Sequence, residues 1–176
     1  MLADKYAQEI QAILAKYPPE RRRSAVMPLI YLAQRERMYV DRKDMAEIAE
    51  ILGMAVTDVA SIVGFYSLFY DQPGGRYHIQ VCNDLPCALR GADKFLEELC
   101  ARLGIQPGGT TPDGLITVEA VTCLAACDKA LMFQLQSGAG LEYHENQTVD
   151  KAIDFIEQLR ADAARRGRIK VEGGRE

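Results

Sequence analysis

The chain has 176 residues, 48% of them hydrophobic and 26% charged, with a formal net charge of −4. That balance belongs to one folded domain or two small ones and excludes a largely disordered chain. The negative charge argues against a nucleic-acid binder, and no apolar run nears the ~20 residues that a membrane span needs.

The first seventy residues read as helical. Leu2, Tyr6, Ile10, Ile13 and Leu14 recur at helical spacing until Pro18 and Pro19 end the segment. Pro19 suits the first turn of a second helix, in which Pro28 predicts a kink or a late start. Asp41 can cap a third helix closed by Gly53, and Thr57 a fourth that runs into Phe65, Tyr66, Phe69 and Tyr70. At helical spacing these four aromatics read as core. Residues 71–75, Asp-Gln-Pro-Gly-Gly, mark the expected boundary.

Beyond Gly75 the period changes. Tyr77, Ile79 and Val81 alternate with His78 and Gln80, a strand ending at Cys82. Residues 92–103 read as a helix, 107–114 as a loop and 115–123 as a second strand. Residues 130–136 and 141–145 read as a hairpin, and Thr148 can cap a last helix. A helical crossover makes the first two strands parallel. The expected fold class is α+β: a helical bundle over 1–74, an α/β sandwich over 75–160 and a loose basic tail over 161–176.

Four of the five cysteines form close pairs, Cys82 with Cys87 and Cys123 with Cys127. Each pair starts where a strand ends. If the strands are parallel neighbours, both pairs open on the same sheet edge, where ligands of open α/β sheets sit. Four thiolates suit a two-iron, two-sulfide cluster, two per iron. The spacing also admits tetrahedral zinc, in a stapled interaction module without redox role. The first residues show no export signal, so the chain is expected to be cytoplasmic, which disfavours disulfides. Cys100, on the apolar side of its helix, reads as a buried structural thiol. His78 and His144 read as ordinary strand residues.

Val81-Cys82-x4-Cys87, together with Val121-Thr-Cys123-Leu-Ala-Ala-Cys127-Asp-Lys-Ala130, resembles the thioredoxin-like [2Fe-2S] ferredoxins. Residues 17–29 and 64–69 resemble the helical N-terminal domain, and 111–114 a loop, of the E-subunit family of NADH:quinone oxidoreductase, respiratory complex I. The resemblance covers about residues 5–160. It implies a thioredoxin-like sandwich and a [2Fe-2S] cluster held by Cys82, Cys87, Cys123 and Cys127. It also implies an FMN- and NADH-binding flavoprotein partner, further iron–sulfur subunits, and contact with the inner membrane only through the complex. NAD-linked formate dehydrogenases and hydrogenase diaphorases use similar subunits. Ala125 stands where glycine is usual and is expected to need a backbone angle compatible with a Cβ. Leu131 stands where proline often follows Ala130.

An iron–sulfur centre moves single electrons whereas hydride donors deliver two, so a flavin partner must split the pair. The chain has neither Gly-x-Gly-x-x-Gly nor a Walker loop, so no catalytic residue and no complete active site are expected on it. Main-chain N–H groups of 83–86 and 124–126 are candidates to bond the sulfurs, while Arg90 and Lys129 read as solvated. Residues 46–69 also resemble a helix-turn-helix. However, residues 41–70 hold five acids and two bases, a net of −3 that DNA would repel, so the helices read as packing elements.

Overall fold

The computed structural model describes residues 2–172, with side chains through 165. The chain divides into two compact units, residues 1–74 with 137–140, and residues 75–136 with those from 141 onward.

Within the first unit, the regular elements of residues 2–74 are all helices. Where one opening helix is expected there are two, α1 (Leu2–Lys5) and α2 (Ala7–Leu14), broken at Tyr6. Tyr6 Oη donates to Glu36 at 2.6 Å, and Arg35 stacks over its ring. A 3₁₀ turn, Pro19–Ala25, leads into α3 (Val26–Arg37). This is the late start that Pro28 requires: in the first turn its missing N–H has no intrahelical partner to lose. In α4 (Arg42–Leu52), Asp41 and Asp44 form a reciprocal capping box, and Gly53 ends the helix at φ +62°.

Helix α5 (Val56–Phe65) is capped at Ala55, two residues before the expected Thr57 cap, and stops at Phe65 because Tyr66 is extended. That stop corrects the reading of the aromatics. Phe69 is buried, but Phe65 is 81% exposed and Tyr66 42%. Their rings contact one another at the surface, 5.2 Å between centroids. Leu29, Ile30, Ile48 and Val59 form the centre of the core. Among the described residues, no single helix is long and apolar enough to cross a membrane. Helices α4 and α5 reach that length only together, bent by 119°.

The second unit runs β1 (Tyr77–Cys82), α6 (Leu85–Leu89), α7 (Ala92–Leu103), β2 (Ile116–Val121), β3 (Phe133–Ser137), β4 (Gly140–His144) and α8 (Val149–Glu172). The sheet order is β2-β1-β3-β4. β1 pairs parallel with β2, from Tyr77 opposite Ile116 to Cys82 opposite Val121, and antiparallel with β3. Tyr77, Ile79, Val81, Ile116, Val118, Phe133 and Leu135 pack with Phe95, Leu99, Ala152 and Ile156 of α7 and α8. The other face holds buried His78, Gln80, Gln134 and Gln136; Gln134 Nε2 donates to Gln80 Oε1 at 2.6 Å. Gly75 precedes β1 where a Cβ would lie 2.7 Å from the Ile116 and Thr117 main chain, so only glycine fits. Thr148 Oγ1 accepts from Lys151 N at 3.3 Å as the cap of α8.

α8 extends helical backbone to Glu172, where a loose tail from 161 is expected. Pairing of Arg165 with Asp162 supports the extension, and residues 173–176 lie outside the described ones.

Asp41→Ala is expected to cost about 1 kcal/mol at neutral pH, measured by denaturant unfolding. The Asp41 carboxyl lies below its ordinary pKa, chiefly through the main-chain hydrogen bond from Asp44, with Arg37 and Lys43 adding to it against desolvation. Its contribution is therefore complete above the unfolded carboxylate value of ~3.9. It is lost as pH falls through the lower folded value, so the gap between wild type and variant should close in acid.

Candidate metal centre

Cys82 ends β1 and is held from both sides. Its N–H donates to Met132 O at 3.2 Å, and the next N–H, of Asn83, to Val121 O at 3.0 Å. Asp84 then caps α6 through a 2.9 Å bond from Leu85 N, and Cys87 lies within that helix. The sequence does not announce this turn, because five residues carry too little periodicity. On the neighbouring strand Val121 is followed two residues later by Cys123, and a 3₁₀ turn, Cys127–Lys129, carries the fourth cysteine. The parallel pairing thus brings both pairs to one edge of the sheet.

Cys123 Sγ and Cys127 Sγ stand 3.7 Å apart, and Cys87 is hydrogen-bonded to Cys82. All five cysteines are free thiols. Cys82 and Cys87 are 3% and 2% exposed, within an apolar shell of Ala92, Ala130 and Met132 to which Leu124, Ala126 and Leu131 add. Cys123 and Cys127 face solvent.

The Cys87 thiol is pushed up to about 11, first by burial, then by the hydrogen bond and charge of Cys82, with Cys127 adding to it. A main-chain hydrogen bond with Met132 opposes the rise. The Cys127 thiol is raised chiefly by its hydrogen bond with Cys123, then by desolvation and the charges of Cys123, Cys82 and Asp84. Each pair is therefore within electrostatic reach of the other. Protons on these thiols must leave before a metal binds. Among the described residues no three His, Cys, Asp or Glu side chains are grouped to hold one metal ion. The thiols are set as two pairs, which suits two irons with two protein ligands each.

Of the candidate sulfur donors, Ala125 N–H bonds Cys123 Sγ at 3.3 Å. Asn83 and Leu85 are engaged elsewhere. Ala125 adopts φ +61°, so its Cβ does not keep it out of the left-handed region as expected; for an L-residue that conformation costs roughly 1–2 kcal/mol. Lys129 pairs with Asp128 at 3.4 Å at the surface, and Arg90 is exposed. Cys100 is 1% exposed in the helix–sheet core. His144 stacks on Phe133, centroids 4.7 Å apart, and burial lowers its pKa. Met132 and Tyr143 border the site without sequence notice; Met132 directly precedes β3 and Tyr143 lies in β4, and only the fold sets them beside the cysteines.

A family model for thioredoxin-like [2Fe-2S] ferredoxins matches residues 10–160. The chain belongs to this family. The cofactor of the family is a [2Fe-2S] cluster, and four thiols in two pairs, one in an apolar shell and one facing solvent, are a donor set that fits it. The chain is 39% identical over 154 residues to the NADH-quinone oxidoreductase E-subunit 2 of Rhizobium meliloti, spanning 88% of each chain. It is 42% identical over 126 residues to NADH-quinone oxidoreductase subunit 2 of Thermus thermophilus, 72% of this chain and 70% of that one. It is 35% identical to the mitochondrial NADH dehydrogenase [ubiquinone] flavoprotein 2 of Dictyostelium discoideum, over 86% of this chain and 60% of that one. A chain of an NAD+-reducing [NiFe]-hydrogenase shares the fold, with a TM-score of 0.63 at 22% identity. The match covers 76% of this chain and 22% of the hydrogenase chain.

In metal-free protein, iodoacetamide is expected to modify Cys123 and Cys127 well before Cys82, Cys87 and Cys100. Labelling of Cys127 should accelerate as pH rises toward its raised pKa, because the thiolate is the nucleophile. Peptide mass mapping over time checks both.

Proposed function

We propose that Cys82, Cys87, Cys123 and Cys127 hold the [2Fe-2S] cluster, each pair chelating one iron. The chain then serves as the one-electron subunit of an NADH-oxidising complex of the NADH:quinone oxidoreductase type. The observation that carries this is the register of β1 on β2, which sets Cys82 opposite Val121 and so brings two thiol pairs, 36 positions apart from Cys87 to Cys123, to one edge.

When bound, the cluster supplies one-electron exchange. The protein's part is to fix the sulfurs, shield the Cys82–Cys87 side from water and present N–H dipoles to the ligands. Hydride oxidation releases two electrons together, so the reading requires a partner with both a flavin and a nicotinamide site. An FMN- and NADH-binding flavoprotein meets that need, and no complete active site is assigned to this chain. Relatives named as subunits of NADH–quinone oxidoreductases support membership of such a complex. On this reading the chain is cytoplasmic and reaches the membrane only through its complex.

The test is anaerobic purification. About two irons and two acid-labile sulfides per chain are expected, with a reddish-brown colour and a paramagnetic signal on one-electron reduction. Cys87→Ser should bleach or shift the visible spectrum and Cys100→Ser should leave it unchanged. Zinc as the sole metal, or the opposite mutant pattern, overturns the ligand assignment. Co-purification should bring down a flavoprotein; consistent isolation of the chain by itself would point to a free-standing ferredoxin.

A further inference from the structure

One peptide unit in the Cys123–Cys127 loop is held at both ends. Its N–H, on Ala125, donates to Cys123 Sγ at 3.3 Å. Its C=O, on Leu124, accepts from Tyr143 Oη at 2.8 Å. Because the amide is planar, fixing the direction of the carbonyl fixes that of the N–H. A donor on the carbonyl also polarises the amide, which strengthens the N–H on the sulfur.

Ala125 itself resists this arrangement, since its φ of +61° suits glycine better than a residue with a Cβ. Turning the 124–125 peptide over would move φ of Ala125 to the favourable negative side. It would also aim a carbonyl oxygen, instead of an N–H, toward the sulfur. The local preference of Ala125 and the contact from Tyr143 therefore pull the same peptide in opposite directions.

We propose that Tyr143 is a positioning residue for the cluster. From β4 it latches the Leu124–Ala125 amide with its N–H on Cys123, and so raises the reduction potential. Hydrogen bonds to ligand sulfurs stabilise the additional negative charge of the reduced state. The proposal rests on Cys123 being a ligand. Tyr143 is 48% exposed, so replacing its hydroxyl leaves the helix–sheet core untouched.

The experiment is a redox titration of the full-length, cluster-loaded chain followed by visible absorption and paramagnetic resonance, after iron and sulfide have been assayed. Tyr143→Phe should keep the cluster and lower the midpoint. The ratio of reduced to oxidised cluster at a fixed poise should fall two- to tenfold, a tenfold change being about 59 mV for one electron. In an Ala125→Gly background the same substitution should have a smaller effect, because glycine takes either sign of φ without strain. 3-Fluorotyrosine at position 143, a stronger donor, should raise the midpoint at slightly acidic pH, where its phenol keeps its proton. An unmoved or raised midpoint in Tyr143→Phe, or an equal shift in both backgrounds, overturns the latch. If the phenylalanine variant fails to fold or load, the near-isosteric fluorotyrosine decides by the direction of its shift. Absence of iron and sulfide from the wild type, or an unchanged spectrum in Cys123→Ser, removes the ligand reading and the latch together. A cluster that depends on Cys123 but ignores both changes at Tyr143 removes the latch alone.

Discussion

Parallel pairing of β1 with β2 is the constraint on which the centre depends. With Tyr77 on Ile116 at one end and Cys82 on Val121 at the other, the strands finish level. A slip of one residue would turn Ile79 and Val81 out of the core and carry Cys82 away from the loop that begins at Cys123. Bonds on both sides of β1 oppose that slip: Asn83 N to Val121 O prolongs the ladder on β2, and Cys82 N to Met132 O ties the strand end toward β3. Gly75, too close to Ile116 and Thr117 for any side chain, sets the register at the opposite end.

The two thiol pairs differ in their surroundings, although chemically they are alike. Cys82 and Cys87 sit in an apolar shell, and burial there raises the Cys87 thiol. Cys123 and Cys127 lie in a solvent-facing loop, where Cys127 is raised chiefly by sharing a hydrogen bond with Cys123. The protons that Cys87 and Cys127 hold must be displaced when a metal binds, so cofactor uptake is linked to pH through these two groups.

The fold is shared more widely than the chemistry. A hydrogenase chain carries the same architecture over 76% of this chain at 22% identity, which is a likeness of fold and nothing more. Membership of the thioredoxin-like [2Fe-2S] ferredoxins rests on the family match over 10–160. It is strengthened by relatives in NADH-quinone oxidoreductase that span most of both chains.

Elements with strong local punctuation were legible in the sequence. β1 has the expected limits because apolar alternation starts after a glycine pair, and α7 because Gly104 ends its amphipathic run. The cysteine pairs were legible for the same reason, since only four or five positions separate the members of each. Phe65 misled, because helical period implies burial only while the helix continues, and the chain leaves the helix at Tyr66. The tail misled in the other direction, since weak periodicity did not stop α8 from running on to Glu172.

By itself, then, the sequence determined the two close cysteine pairs and the alternation of strand and helix, all of which depend on neighbours a few residues apart. Tertiary structure alone decided which pair is buried, that Ala125 is held at positive φ, and that Tyr143 reaches Leu124 from a strand nineteen residues further on. Such facts follow from how strands are set side by side. No short-range pattern encodes a contact whose two partners meet only after the sheet has formed.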